Sequence, residues 1–256
     1  MTLTNIQEPY LYLAITFLSA LALSFGVNIF LLRYASHLFR KNLPENTIRF
    51  DRERKPAMGG ISFFACFLFG IIAYLLFFMG DHQPDKLSIV AIIAVVSMGF
   101  VLGLYDDLRN SPVWIKLASQ ILTAIILISS GISIHLFKVA WADDLLTVFW
   151  VVGIMNSINM LDNMDGVTTI VSSFILLTIL LLNIIHNTLI TPEFVIILSV
   201  FAALIGFLRF NISPAKIYMG DVCSQFLGIV LAVLGILYFW NCKDFNSEVV
   251  FTKQIA

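Results

Sequence analysis

Five aspartates stand at the edges of apolar stretches in this sequence, where carboxylates could bind cations or direct protons. Asp106 and Asp107 directly follow one apolar stretch, Asp162 and Asp165 end another, and Asp221 precedes the last one. A carboxylate near a membrane interface costs little, so a lone aspartate there is an ordinary helix-end charge. Five of them, each near glycine or asparagine, indicate instead a shared polar site.

The spacing within the segment 156–166 adds detail. Asn159, Asp162 and Asp165 follow one another at intervals of three residues, and Asn156 extends the series one turn back. Residues three apart on a helix share a face. The series therefore predicts a ladder of amides and carboxylates that binds a polar ligand at the end of a helix.

Converging carboxylates repel one another and retain protons unless a cation neutralises them. Oxygen ligands close to a phosphate substrate suit Mg2+, with Mn2+ as the alternative. Such an ion also neutralises a diphosphate and stabilises charge on its bridging oxygen. The sequence contains no CxxC pair, and its four histidines form neither an HxH nor an HExxH pattern, so a zinc site is not expected.

Two further segments carry cations beside glycine or tyrosine. Lys55 precedes Gly59 and Gly60, which indicates either a positively charged membrane anchor or a site where backbone N–H groups and cations approach phosphate. Lys216 can pair with phosphate as a point charge. Tyr218 either stacks on a nucleobase or lies at the membrane interface.

The elements that must position these residues are strongly apolar. The chain has 256 residues, of which 59% are hydrophobic and 12% charged, and this composition excludes a soluble domain of that size. A membrane span needs about 20 mostly apolar residues. We therefore predict an all-α, polytopic transmembrane helical bundle that forms one domain over residues 1–256. Its roughly eight spans lie at about 11–32, 61–80, 88–104, 113–131, 145–161, 167–185, 194–210 and 225–240.

The orientation follows from the basic residues. Most of the 15 Lys and Arg residues fall in the odd-numbered connections between the predicted spans. Since cytoplasmic loops are enriched in these residues, we place the odd connections in the cytoplasm and the N-terminus outside. All the polar segments described above then face the cytoplasm from the inner (plasma) membrane. A transporter would carry its carboxylates near the bilayer midplane, so their position at one edge argues against transport.

Four segments together resemble the polyprenyl-phosphate N-acetylhexosamine-1-phosphate transferases, the MraY/WecA-like members of glycosyltransferase family 4. They are KPAMGG (55–60), GLYDD (103–107), NSINMLDNMDG (156–166) and GFLRFNISPAKIYMGD (206–221). The resemblance implies Mg2+-dependent transfer of a sugar-1-phosphate, typically N-acetylhexosamine-1-phosphate, from a UDP-sugar to a polyprenyl phosphate. The products are a polyprenyl-diphosphate sugar and UMP, for cell-wall or surface polysaccharide synthesis.

The resemblance also implies residue roles. Asp106 and Asp107 would activate the lipid phosphate, and Asp221 with Asp107 would bind the metal. The catalytic candidates are Asp106, Asp107, Asp162 and Asp165. The substrate-binding candidates are Lys55, Gly59, Gly60, Asn156, Asn159, Lys216 and Tyr218. Within this set, Tyr218 stands where the family has an aromatic residue that can stack on uracil.

The sequence departs from the family pattern in two places. Cys223 replaces the second glycine of the family's MGDxGS motif. The family also continues through further spans and a cytoplasmic loop with a histidine-containing motif, and we expect this chain to lack them. A non-catalytic family member that acts as a binding partner therefore stays open beside the transferase. We expect no nucleic-acid partner, and a homodimer stays open.

Overall fold

The computed structural model describes residues 4–38, 58–78, 86–109, 111–137 and 139–241. Lys55 lies outside the described residues, so its predicted role stays a prediction. The described residues contain eight α-helices, and a five-residue π-helical segment, Ile236–Trp240, continues the last one. The helices are α1 Thr4–Leu38, α2 Gly60–Phe77, α3 Lys86–Arg109, α4 Val113–Ser129, α5 Ala140–Leu161, α6 Val167–Ile185, α7 Pro192–Asn211 and α8 Gly220–Gly235.

The predicted helical bundle is confirmed. Each of the eight predicted spans corresponds to one helix, and seven helices are long and apolar enough to cross a membrane. The shorter one, α4, has 17 residues, which is about 26 Å at the usual helical rise. The chain is therefore a multi-pass membrane protein, and the location of its N-terminus outside stays a prediction.

Several helix boundaries differ from those predicted, and two of the differences move candidate site carboxylates into helices. Helix α3 continues to Arg109 rather than ending near residue 104, so Asp106 and Asp107 lie in its last turns. Helix α8 begins at Gly220 rather than near residue 225, so Asp221 lies in its first turn. Hydropathy does not detect these polar turns, because contacts between helix ends stabilise them.

Helix α8 lies at the centre of the bundle, against α3, α5 and α2, and nearly all of its residues are buried. Glycines on its neighbours allow a close approach. A Cβ atom on Gly103 of α3 would lie 2.6 Å from the Cα of Val222, and one on Gly60 of α2 would lie 2.7 Å from the backbone nitrogen of Cys223. Small residues at helix contacts are typical of packing within membranes.

An aromatic cluster joins the same helices farther along α8. The rings of Phe64 in α2 and Phe100 in α3 stack with centroids 4.1 Å apart. Phe226 of α8 meets Phe64 and Phe67 edge-on, at 6.3 and 5.8 Å. Each such pair contributes about 0.5–1.5 kcal/mol beyond its area burial. The cluster therefore fixes the relative positions of three helices whose ends carry the polar residues.

Candidate active site

The first turn of α8 collects carboxylates from two other parts of the chain. Gly220 begins the helix with a φ of 76°, which glycine adopts without strain. Its N–H donates to Asp162 at 3.2 Å, while the N–H groups of Asp221 and Val222 donate to Asp107 at 3.3 and 3.0 Å. The N–H groups at a helix N-terminus have no partners within the helix and need acceptors from elsewhere. Asp107 and Asp162 therefore cap α8 from outside the helix.

A lysine that was not among the predicted site residues contacts the two remaining carboxylates, Asp106 and Asp221. Lys116 of α4 forms an ion pair with Asp106, and its Nζ atom lies 3.5 Å from Oδ2 of Asp221. The backbone N–H of Ser111 donates to the same Asp106 at 2.7 Å. The sequence offered one indication, a lysine early in an otherwise apolar stretch, but its partners depend on which helix ends meet.

The connection between α5 and α6 lies against the connection between α7 and α8. Asp165 accepts a hydrogen bond from the N–H of Ala215 at 3.0 Å. Asn211, which was also not predicted, accepts from the N–H of Gly166 at 3.2 Å and donates to the carbonyl of Ile217 at 3.2 Å. The second pair of predicted carboxylates is thereby held beside the start of α8.

The two predicted asparagines of α5 have different surroundings. Asn159 accepts a hydrogen bond from Ser224 of α8 at 2.7 Å, so it lies beside the carboxylate cluster. Asn156 donates through Nδ2 to Gln120 of α4 and to the carbonyl of Val152, both at 2.9 Å. Asn159 thus contacts the turn that follows Asp221, and Asn156 forms its hydrogen bonds inside the bundle.

The predicted glycine and tyrosine elements meet each other. The N–H of Gly59 donates to the carbonyl of Tyr218 at 3.5 Å, and Gly60 packs against Val222 and Cys223. Lys216 is exposed to solvent, and its backbone N–H donates to the carbonyl of Phe210. The structure thus gives both glycines a packing role at the site, while phosphate binding and nucleobase stacking by these elements stay predictions.

The described parts of the four segments that were predicted to share one side therefore meet around the start of α8. The sequence model of glycosyl transferase family 4 matches residues 88–239, a stretch that includes the five aspartates and Lys116. The chain belongs to glycosyl transferase family 4.

Several bacterial relatives resemble this family 4 chain. It is 30% identical over 204 residues to the probable undecaprenyl-phosphate N-acetylglucosaminyl 1-phosphate transferase of Bacillus subtilis, which covers 76% of this chain and 54% of that protein. It is 33% identical over 220 residues to a phospho-N-acetylmuramoyl-pentapeptide-transferase of Lacticaseibacillus paracasei, covering 78% and 67%. The corresponding transferase of Streptococcus uberis is 34% identical over 208 residues, covering 71% and 58%. The chain thus spans roughly half to two thirds of the length of these relatives.

Several negative charges lie close together at this site. Burial raises the pKa of Asp162 to about 8, and the negative charges of Asp221, Asp107 and Asp165 add to the effect. With its pKa there, this carboxyl group is largely protonated at neutral pH. A divalent cation close to these carboxylates would remove the repulsion that keeps the proton bound.

The donor set agrees with a hard cation in its chemistry. Among the described residues, no three His, Cys, Asp or Glu side chains are arranged to hold a metal ion. The groups that meet here are nevertheless carboxylate oxygens, which are the ligands that Mg2+ prefers. Asp221 and Asp107 adjoin at one turn of α8, where the N–H of one lies 3.3 Å from a carboxylate oxygen of the other. The chemistry of these oxygens suits Mg2+, and the binding of Mg2+ by Asp221 and Asp107 stays a prediction.

Proposed function

We propose that this protein transfers a sugar-1-phosphate, of the N-acetylhexosamine class, from a UDP-sugar to a polyprenyl phosphate in the membrane. The products are a polyprenyl-diphosphate sugar and UMP, and the lipid product serves cell-wall or surface polysaccharide synthesis. One observation carries the proposal: Asp106, Asp107, Asp162, Asp221 and Lys116 meet at one end of an apolar bundle. The names of the relatives, which are transferases of this kind, support it.

The reaction joins two anions, and this determines what the site must do. An oxygen of the lipid phosphate attacks the β-phosphorus of the UDP-sugar, and the bond from that phosphorus to the bridging oxygen breaks as UMP leaves. The second pKa of a phosphate monoester is about 6, so the attacking group is already a dianion at neutral pH. Catalysis then rests on alignment and on stabilising negative charge rather than on a strong base.

The residues around α8 divide these tasks. Lys116 supplies a positive charge that can approach a phosphate oxygen, and Asp106 orients the lysine through their ion pair. Asp221 and Asp107 would hold Mg2+, which when bound neutralises the charge of the diphosphate. Asp107 also fixes the start of α8, since both of its carboxylate oxygens accept backbone N–H groups there.

The nucleotide sugar would lie against the connection between α5 and α6. Asn159, Asp162 and Asp165 present amide and carboxyl groups on that side. Tyr218 lies on the neighbouring connection and offers an aromatic face for the base. The cytoplasm is the expected side, because most of the 15 Lys and Arg residues fall in the odd-numbered connections of the sequence.

The decisive experiment incubates the purified protein with polyprenyl phosphate, Mg2+ and a panel of UDP-sugars, and measures UMP. We expect UMP release with at least one UDP-N-acetylhexosamine and its loss in Asp221→Asn. Asp144→Asn is the matched control, because Asp144 lies in the first turns of α5, at the opposite end of that helix from Asp162. No UMP with any sugar would refute the proposal, and binding of a UDP-sugar without UMP release would favour a non-catalytic family member.

A further inference from the structure

Three amide side chains form a network inside the bundle, which we name the amide triad: Gln120 of α4 and Gln225 of α8, which are buried, and Asn156 of α5, which is partly buried. Asn156 donates to Gln120 at 2.9 Å, and Gln120 donates to Gln225 at 3.2 Å and to Asn156 at 3.5 Å. The second N–H group of Asn156 is also engaged, by the carbonyl of Val152. The triad therefore links three helices through their side chains.

Each member of the amide triad lies one helical turn from a residue of the site. Gln120 follows Lys116 by four residues, and Gln225 follows Asp221 by four. Asn156 precedes Asn159 by three. One turn is about 5.4 Å along the helix axis, so the triad forms a layer directly beneath the site. The helices that it joins are the ones that carry these three residues.

Bundle stability alone does not account for this layer. Gln120 is 1% exposed and Gln225 is fully buried, and Nε2 of Gln225 has no hydrogen-bond partner among the described residues. Burying an amide without a partner costs free energy, whereas replacing both partners of a hydrogen bond by apolar groups is often nearly neutral. Leucines in a lipid-embedded bundle would pack without that cost. The amides restrict the rotation of each helix about its axis, because their hydrogen bonds form only when the side chains face one another.

We propose that the amide triad is a positioning device that sets the rotation of α4 against α5 and α8 and thereby holds Lys116 between Asp106 and Asp221. In this role Asn156 acts through Gln120 and does not contact the nucleotide sugar, because both of its N–H groups are used inside the bundle. The catalytic consequence rests on the proposed transferase function. The structural consequence, the placement of Lys116, does not.

The structural consequence is tested by acylating the purified protein in detergent with an amine-reactive ester and measuring modification of Lys116 by mass spectrometry. The lysine side chain is 21% exposed and paired with Asp106. In Gln120→Leu we expect it to leave that pair and react several-fold faster. The matched control is Asn183→Leu, which removes a buried amide from α6 at the end of the bundle away from the site. Unchanged Lys116 reactivity in Gln120→Leu would overturn the proposal.

The catalytic consequence is tested by kinetics. Gln120→Leu should lower kcat by about 10- to 100-fold with a smaller change in KM, since misplacement by about 1 Å can cost about 100-fold. The same substitution should cause no further loss in a Lys116→Gln background. The triple variant Gln120→Leu, Asn156→Leu, Gln225→Leu should remain folded, because no buried amide is left unpaired, and yet stay slow. Wild-type kcat in the folded triple variant would show that the triad is not needed for positioning. A wild type that releases no UMP would refute the transferase proposal and leave the acylation result to decide this one.

Discussion

Replacing Lys116 by glutamine should tighten the binding of a divalent cation at the site while slowing transfer. In the structure the ammonium group of Lys116 pairs with Asp106 and lies 3.5 Å from Asp221. It would therefore compete with a metal ion bound by the same carboxylates. The substitution removes this competitor and keeps a polar side chain of similar length.

The size of the effect follows from the distances. A divalent ion bound about 2.1 Å from Oδ2 of Asp221 would lie at most about 5.6 Å from the Lys116 nitrogen, given the 3.5 Å separation. A double and a single positive charge at that distance repel by about 1.5 kcal/mol even at the dielectric constant of water. That is about tenfold in affinity, and a lower effective dielectric constant increases it. Transfer should fall about 100- to 1000-fold, as when one preorganised electrostatic contact is removed from a transition state.

Titration of the purified protein with Mn2+, with free Mn2+ followed by electron paramagnetic resonance, measures the first effect, and UMP release measures the second. Arg109→Gln is the control, because it removes one positive charge from the exposed end of α3, two residues beyond Asp107. We expect less than a twofold change in Mn2+ affinity for it. Equal or weaker Mn2+ binding by Lys116→Gln would show that the lysine and the metal do not share Asp221. Tighter Mn2+ binding with an unchanged kcat would show that Lys116 takes no part in the transfer reaction.

Three further predictions concern the elements that hold the site. Gly103→Ala should lower the free energy of unfolding by about 1–3 kcal/mol, because its Cβ would lie 2.6 Å from the Cα of Val222. Thermal unfolding in detergent measures this loss, and Gly153→Ala is the control, because a Cβ on Gly153 meets nothing within 4 Å. A loss in Gly103→Ala no larger than that in Gly153→Ala would contradict the prediction. With EDTA present, the unfolding temperature should fall as the pH rises from about 5 to about 8 and then level off. The reason is that the raised pKa of Asp162 lets the folded state keep a proton that the unfolded chain has released. Asp162→Asn should flatten this profile, and an equal slope in both proteins would contradict the assignment of the profile to Asp162. Asp107→Asn should abolish UMP release and still elute as a folded protein on size exclusion, because the amide oxygen can keep one of the two α8 contacts, and full activity would exclude Asp107 from the reaction.

The helices and the polar clusters could be predicted from the sequence for physical reasons. A chain in lipid must satisfy its backbone hydrogen bonds within each span, so apolar stretches of sufficient length become helices. Carboxylates at the ends of those stretches are conspicuous in so apolar a chain. Asp106, Asp107 and Asp221 were accordingly assigned to one site, and the structure brings them together around Lys116 and α8.

The contacts between clusters could not be predicted in the same way. Lys116 was counted only among the basic residues that orient the protein, since nothing in its own helix indicates Asp106 as its partner. Asn211 lies in a segment whose polar contacts form only when two connections pack together. Gly59 was interpreted either as part of a membrane anchor or as a glycine near phosphate, and the sequence did not indicate that its N–H donates to the carbonyl of Tyr218. In each case the missing information is which helix ends are neighbours, and helical periodicity does not contain it.

The arrangement around α8 also limits how the diphosphate of the proposed substrate would be bound. The N-terminus of a helix is ordinarily an anion site, because its N–H groups lack partners and the helix dipole is positive there. In this protein the N–H groups of Gly220, Asp221 and Val222 already face the carboxylates of Asp162 and Asp107. A phosphate cannot take those donors without displacing a carboxylate that fixes the helix. In the proposed reaction, the positive charge that a diphosphate needs would therefore come from cationic side chains such as Lys116 and from a metal ion held by the carboxylates.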